Sequence, residues 1–310
     1  MPPVSKARPL LHPTFQALLS LKKGLSWHDM SLLGYVLLWG IGALCFDANA
    51  LHHDHLLQAP GEALWERGAL FAWLGTDDLG RSMWARVGLG VWVSVGLGVW
   101  SILVGWLVGV PVGLLWGEGY HRWWGQWLKE ALQLWDTVPS LLWLLLASML
   151  WTQLPSAAQN HTMSHWFSLG LDTAVSETYV KACLMGTTIG LLHASDVARL
   201  VAQGVLELKH TTASEAYETF GGNALRFGLR YSLPHVVPRL MVYSRLLLMR
   251  SILAESTLSF VGIGLQPPMS TLGVLAHDAW QLVLLTIYPF LIITSVLMAL
   301  MYLLRNKTTA

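Results

Sequence analysis

The sequence predicts an all-α integral membrane protein with about six transmembrane helices. Of its 310 residues, 54% are hydrophobic and only 12% are charged, whereas a soluble domain carries about 25% charged residues. Five windows of about 17 or more residues, and a sixth that is shorter, contain few or no ionisable groups. Helices satisfy their backbone hydrogen bonds internally, so such windows predict helical membrane spans. The predicted spans are residues 31–46, 88–116, 138–154, 182–198, 240–264 and 282–304.

The orientation of these spans follows from the Lys and Arg residues of the connecting segments. Cations occur near both ends of the chain, between the second and third spans, and throughout residues 199–239. Residues 152–180 and 265–281 contain neither Lys nor Arg. Because translocation disfavours cationic flanks, both termini are predicted to be cytoplasmic. The outer segment 47–87 fits this rule less well, since it contains three arginines.

The predicted domain organisation has three parts. Residues 1–30 form a cytoplasmic N-terminal segment, residues 31–304 form one transmembrane domain, and residues 305–310 form a cytoplasmic tail. Within the transmembrane domain, residues 47–87 are predicted to face outward and residues 199–239 to face the cytoplasm. The cysteines, Cys45 and Cys183, lie within or beside spans, which favours buried thiols rather than a disulfide.

The outer segment contains "HHDH", residues 52–55, which raises the question of a metal site. Adjacent histidines in a loop can bind transition metals, but no second ligand cluster and no helical or CxxC-type spacing accompanies them. A solvated outer loop is therefore the favoured interpretation for His52, His53 and His55, and no metal site is predicted.

The second span carries glycines at strict intervals of four residues. Residues at this spacing lie on one face of a helix, where glycine lets a neighbouring helix approach closely. The pattern predicts tight helix packing and carries no information on a ligand. The glycines are Gly105, Gly109, Gly113 and Gly117.

A polar segment, "EAYETFGGNALRFGLRYSLPH", separates the fourth and fifth spans at residues 215–235. A helical pattern continues out of the fourth span until Gly221 and Gly222 end it. A second short helix is predicted from Asn223, ending before Pro234. The predicted product is a helix, a turn and a helix on the cytoplasmic face. A partner's groove can hold such a shape, although a plain intracellular loop is an equal alternative.

This segment resembles the Glu-Ala-Ala-x3-Gly-x9-Ile-x-Leu-Pro signature of permease subunits of bacterial binding-protein-dependent ABC importers. Tyr217 and Tyr231 stand where that family has Ala and Ile. Three further stretches, "GTDDLGR" at 75–81, "ARLV" at 198–201 and "ILAESTLSFVGIGLQPP" at 252–268, resemble the C-type permease of its dipeptide, oligopeptide and nickel branch. The residues that match the signature are Glu215, Ala216, Gly221, Leu233 and Pro234.

The resemblance implies a type I ABC importer permease fold in the bacterial inner membrane, with residues 47–87 periplasmic. It implies four partners besides the lipid bilayer: a second, B-type permease, two ATP-binding subunits, and a periplasmic or extracellular solute-binding protein. It also implies that residues 199–239 form a loop that couples the permease to the ATPase. The residues expected at this contact are Glu215, Ala216, Gly221, Gly222, Leu233 and Pro234.

The fifth span contains Arg245, Arg250 and Glu255, and charges inside a membrane normally face protein or water. In one interpretation these residues line a translocation path, where Arg250 meets an anionic group of the substrate. In the other, Arg250 pairs internally with Glu255 or with Asp196 of the fourth span. Both interpretations remain open at the level of the sequence.

The chain is not expected to be an enzyme. It contains no Gly-x4-Gly-Lys-Ser/Thr phosphate loop and no Gly-Lys pair, so ATP hydrolysis is expected in partner subunits. No cofactor and no nucleic acid is expected to bind. The alternative functions are an ion-coupled transporter or channel without an ATPase, and a membrane-bound sensor or scaffold. The sequence does not identify the cargo. A dipeptide, oligopeptide, antimicrobial peptide, polyamine or nickel chelate is compatible with the resemblance.

Overall fold

The computed structural model describes a chain built from helices and turns. In the part it describes there is no strand, only an isolated bridge between Thr76 and Ser82. The described residues are 27–51, 56–60, 73–158, 173–209, 211, 224–267 and 269–304. The helices are α1 (Trp27–Cys45), α2 (Met83–Glu118), α3 (Trp123–Thr137), α4 (Ser140–Ala158), α5 (Thr173–Lys209), α6 (Ala224–Phe227), a π-helix (Gly228–Ser232), α7 (Leu233–Phe260), α8 (Leu272–Gln281) and α9 (Tyr288–Leu304).

Each predicted span coincides with a helix, namely α1, α2, α4, α5, α7 and α9. Within the described residues, α2 alone is long and apolar enough to cross a membrane by itself. Helices α3 and α4 meet that criterion only as a pair, and they are bent by 81° relative to one another. Helices α1 and α9 are apolar but shorter, and α5 and α7 carry charged side chains. Six crossings therefore stay a prediction, whereas the helices themselves are confirmed.

The clearest differences from the sequence prediction concern the start of the last span and the segment before the third span. The span predicted at 282–304 begins with a turn, and its helix starts only at Tyr288, because Pro289 fits the first turn of a helix. The segment predicted to connect the second and third spans contains helix α3. The bend after α3 is held by Trp135 and Trp143, whose rings stack at 4.4 Å, while the Trp143 indole donates to the Trp135 carbonyl.

Helices α2 and α5 pack along the predicted glycine face, which we call the glycine seam (Gly105, Gly109, Gly113 and Gly117). A Cβ atom built on Gly109 would lie 2.6 Å from the Ala194 carbonyl oxygen, and one on Gly113 would lie 2.5 Å from that of Ala198. Only glycine permits this separation, so the prediction of close packing is confirmed. The backbones of the two helices are in direct contact over about three turns.

In the described part of the chain, three apolar clusters form the core around these two helices. One apolar cluster joins α2 to α1, α7, α8 and α9, and a second joins α2, α5 and α7. A third joins α4, α5, α7 and α8. Both cysteines are free, but Cys45 and Cys183 are exposed on the chain surface rather than buried as predicted, because each lies on a face with no described neighbour packed over it.

Replacing Gly113 by Val should destabilise the folded chain in detergent, because α5 leaves no room for a side chain. Overpacking of this kind costs about 1–3 kcal/mol, so the thermal unfolding midpoint should fall by several degrees. Gly96→Val is the matched control, since Gly96 lies on the same helix and no described atom lies within 4 Å of its Cβ position. Equal midpoints for the two variants would contradict the glycine seam.

Candidate functional site

The predicted coupling residues fall partly outside the described structure. Glu215, Ala216, Gly221 and Gly222 lie outside the described residues, whereas Leu233 and Pro234 begin α7. We call residues 210–232, between α5 and α7, the predicted coupling segment, or coupling segment for short. Its residues 210 and 212–223 lie outside the described residues, and the described chain resumes at α6.

The second half of the predicted helix–turn–helix is helical, but it does not end before Pro234. Helix α6, the π-helix and α7 form one continuous helical stretch. In the π-helix the Leu233 N–H donates to the Gly228 carbonyl, five residues earlier, and Ser232 keeps helical dihedral angles. Pro234 follows directly, and the first turn of a helix tolerates its missing N–H. The sequence prediction of a break at this proline was wrong for that reason.

One side of the π-helix is buried, while Leu229 and Arg230 are exposed. Gly228 and Ser232 are buried, and the rings of Phe227 and Tyr231 stack with centroids 5.5 Å apart. Single π-turns within helices occur frequently at functional sites. Helix α7 is thus continued back to Ala224, the first described residue after the predicted turn, without a break in the helical backbone.

Two ion pairs join α5 to α7. Arg250 Nη1 lies 2.8 Å from Asp196 Oδ2, and Arg239 Nη1 lies 2.6 Å from Glu207 Oε2. The two pairs are eleven residues apart on each helix, which corresponds to about three turns and places them on one face. We call this surface the charged face. Its side chains are 31% to 54% exposed in the chain.

An apolar groove of about 650 Å³ lies between the two pairs. It runs along α5 and α7, and Leu304 of α9 contributes to its wall. Its lining residues are Leu200, Pro238, Arg239, Val242, Tyr243, Leu246, Met249 and Leu304. The charged face is therefore a strip with an ion pair at each end and an apolar centre.

The structure places the three predicted charges of the fifth span in different surroundings. Arg250 pairs with Asp196, one of its two expected partners, and remains half exposed. Arg245 is five residues away and therefore about 140° around α7 from Arg250. Glu255 is buried, with an exposed fraction of 1%. The charged face includes Arg250 but neither of the other two.

Glu255 is held by hydroxyl groups from two helices. Ser94 Oγ of α2 donates to Glu255 Oε2 at 3.0 Å, and Ser259 Oγ donates to Oε1 at 2.9 Å. These hydroxyls also accept backbone N–H groups: Ser94 that of Leu272 and Ser259 that of Leu265. Glu255 thus fixes the connection between α7 and α8. The sequence could indicate Ser259 as a partner of Glu255, because the two residues are one helical turn apart. Nothing in the sequence indicates that Ser94 is the other partner.

A chain of hydrogen bonds lies behind the charged face. His193 Nε2 is 2.9 Å from Ser251 Oγ, which is 2.6 Å from Ser101 Oγ. All three residues are buried and come from α5, α7 and α2 respectively. These polar contacts fix the lateral register of the three helices.

The stretch "GTDDLGR" forms an ionic cluster at the N-terminal end of α2. Asp77 Oδ2 accepts from Arg81 Nε at 2.7 Å and from Arg86 Nη1 at 2.6 Å. Arg86 also pairs with Asp278 of α8 at 3.0 Å. The Tyr288 hydroxyl donates to the Thr76 carbonyl, which connects the same stretch to α9. These contacts join residues 76–81 to α2, α8 and α9.

The histidines of "HHDH" lie outside the described residues. Among the residues that the structure does describe, no group of three or more His, Cys, Asp or Glu side chains is placed to hold a metal ion.

Comparison with known proteins identifies the chain's relatives. Residues 109–310 match the family described as "Binding-protein-dependent transport system inner membrane component". The oligopeptide transport system permease protein OppC of Salmonella typhimurium is 37% identical over 95 residues, 31% of this chain and 32% of the relative. The dipeptide transport system permease protein DppC of Bacillus subtilis is 35% identical over 88 residues, 28% of each chain.

A third relative is the glutathione transport system permease protein GsiD of Pectobacterium atrosepticum. It is 35% identical over 82 residues, 26% of this chain and 27% of the relative. The chain thus matches about a third or less of the length of these curated relatives.

Replacing Glu255 by Gln should destabilise the chain, because an amide has one acceptor oxygen and turns a donor toward hydroxyl groups that need acceptors. An unsatisfied buried polar group costs about 1–3 kcal/mol. Glu207→Gln is the control, since its exposed ion pair contributes about 0–1 kcal/mol. Thermal unfolding in detergent measures both, and an equal small loss in the two variants would contradict the structural role of Glu255.

Proposed function

The chain belongs to the family of binding-protein-dependent transport system inner membrane components, and from this we propose that it forms half of the translocation pathway of an ATP-driven importer for peptides or related small solutes. As a permease component it is not itself catalytic. The observation that carries the proposal is the family match over residues 109–310, which includes the coupling segment and the charged face.

The cargo class is proposed from the relatives. Their names describe transport of oligopeptides, dipeptides and glutathione, all of which are short peptides with free carboxylates. The partners follow from the same proposal: a second, B-type permease, two ATP-binding subunits and an external solute-binding protein. Both termini are proposed to be cytoplasmic, since the cationic segments flank the corresponding helix ends.

The coupling segment is proposed as the contact with an ATP-binding subunit. The sequence predicts that Glu215 and Ala216 belong to its first helix and that Gly221 and Gly222 form its turn, while Leu233 and Pro234 begin α7. The continuous helical stretch from α6 to α7 supports this role, because a rigid connection carries displacement better than a loop. ATP-driven closure of the partner subunits would shift this segment and, with it, the helices.

The charged face is proposed to line the pathway between this chain and the second permease. A charged side chain at the bilayer centre costs about 2.5–3.5 kcal/mol on insertion scales, so half-exposed ion pairs on a membrane helix face protein or water rather than lipid. Arg250 and Asp196 are such a pair. The apolar groove beside them accommodates side chains or a partner helix, while the arginine offers a positive charge to a cargo carboxylate.

The test of the proposed function is purification of the tagged chain from native membranes in mild detergent, followed by mass spectrometry of the proteins bound to it. Wild type should retain a second permease and two ATP-binding subunits. Gly221→Val should insert into the membrane but lose uptake, because a β-branched residue resists the positive φ that a glycine turn uses. Gly34→Val, on α1 with no described atom within 4 Å of its Cβ position, is the control.

A chain that emerges alone or as a homo-oligomer under several detergents would contradict the ATP-coupled assignment and favour ion-coupled transport.

Replacing Arg250 by Ala should reduce uptake of a peptide with a free carboxylate by about tenfold, the effect of losing about 1.4 kcal/mol of interaction, and should spare the C-terminally amidated peptide. Arg122→Ala, in the exposed turn after α2, is the control. Radiolabelled uptake into vesicles measures both peptides. Equal loss for the two cargoes, together with a lower unfolding midpoint, would mean that Arg250 acts only by pairing with Asp196.

A further inference from the structure

We propose that Lys209 and Glu118 form a clasp through which displacement of the coupling segment enters the transmembrane helices by way of α2. Both are positioning residues in this proposal, since neither is expected to touch the cargo or the nucleotide. The inference rests on the proposed function, because it concerns how that importer transmits force.

Lys209 is the last residue of α5, directly before the coupling segment, and its ammonium group is fixed to the end of α2. Its Nζ donates to the carbonyl oxygens of Gly117 at 3.2 Å and Glu118 at 3.0 Å. It also lies 2.9 Å from Glu118 Oε2. Carbonyl groups at a helix C-terminus lack helical partners and attract cations. One side chain therefore satisfies three acceptors at the end of α2.

Glu118 also lies beside the other end of the coupling segment. A Cβ atom built on Gly228, in the π-helix, would lie 3.4 Å from Glu118 Oε1. That oxygen is buried and has no hydrogen-bond partner among the described residues. The end of α2 thus stands between the two points at which the coupling segment leaves and re-enters the membrane domain. We expect a displacement of the segment to reach the end of α2 through these two neighbours of Glu118, Lys209 and Gly228.

Helix α2 is suited to carry this displacement outward. Its 36 residues span about 54 Å at 1.5 Å per residue, and the glycine seam fixes it to α5 along the cytoplasmic half. Near the outer end, Arg86 pairs with Asp278 of α8, and Ser94 Oγ accepts the Leu272 N–H at the start of α8. Helix α2 therefore connects the base of the coupling segment to the outer helix α8 with polar contacts at both ends.

The location of the clasp separates it from an ordinary stabilising ion pair. The pair Arg239–Glu207 also joins cytoplasmic portions of two helices, but its side chains are about half exposed. In the clasp, the Lys209 and Glu118 side chains are 24% and 10% exposed. The clasp is therefore more shielded from water than the Arg239–Glu207 pair, and a shielded ion pair is screened less by salt.

The experiment compares wild type, Lys209→Met and Lys209→Arg in the reconstituted complex, in a background with both native cysteines replaced by serine. Two quantities are measured: solute imported per ATP hydrolysed, and the ATP-dependent change in thiol labelling of a cysteine at Leu284. Leu284 is 96% exposed in the turn after α8, and the proposed topology places that turn on the outer side. Lys129→Met, on α3, is the control for loss of a cytoplasmic cation.

Lys209→Met should lower the import per ATP at least fivefold and abolish the labelling change at position 284, while ATP hydrolysis continues. Lys209→Arg should restore both, since a guanidinium group reaches the same acceptors. Glu118→Gln provides a second variant if Lys209→Met does not accumulate. It keeps the two carbonyl contacts of Lys209 and should therefore show an intermediate loss of import per ATP.

Unchanged coupling in both Lys209→Met and Glu118→Gln would overturn the clasp and leave the proposed function standing. Absence of ATP-dependent uptake by wild type would overturn the proposed function and the clasp with it. A loss in Lys209→Met that Lys209→Arg does not restore would assign the effect to folding rather than to the clasp.

Discussion

The contact between α2 and α5 is the constraint on which the rest of the structure depends. Backbone atoms of the two helices approach so closely along the glycine seam that any side chain at Gly109 or Gly113 would overlap α5. Lipid offers apolar helices no hydrophobic force to associate, so packing over a large contact must hold them together. Once α2 and α5 are joined, the positions of Ser94, Ser101 and Glu118 are fixed relative to His193, Asp196 and Lys209.

Polar groups in this chain are satisfied in two distinct ways, and the difference has functional meaning. Glu255 is enclosed by hydroxyl groups and Lys209 by helix-terminal carbonyls, so both are complete within one chain. The pair Arg250–Asp196 is satisfied as an ion pair yet remains exposed on a helix that belongs to a membrane protein. A surface of that kind is stable in a bilayer only when protein or water covers it. The charged face is therefore the surface of the isolated chain that requires a covering of protein or water in the membrane.

The sequence predicted the helices well because membrane spans are read from composition over long windows. The glycine seam was also predictable, because residues at four-residue intervals lie on one face of a helix. Two other features depend on contacts that local sequence does not encode. The π-helix that carries the chain past Pro234 depends on packing of Gly228 and Ser232, and the hydroxyl partner of Glu255 on α2 lies 161 residues away in the chain.

The partner of Arg250 shows where prediction from sequence ends. Both Glu255 and Asp196 were reasonable partners, because one lies close in the chain and the other on a neighbouring span. Glu255 faces the serines on the opposite side of α7, as a separation of five residues places it about 140° around the helix. Asp196 is available because the glycine seam and the antiparallel course of α5 and α7 bring it level with Arg250. The tertiary contact between α5 and α7 thus makes Asp196, and not Glu255, the partner of Arg250. Arg250 remains half exposed beside the apolar groove.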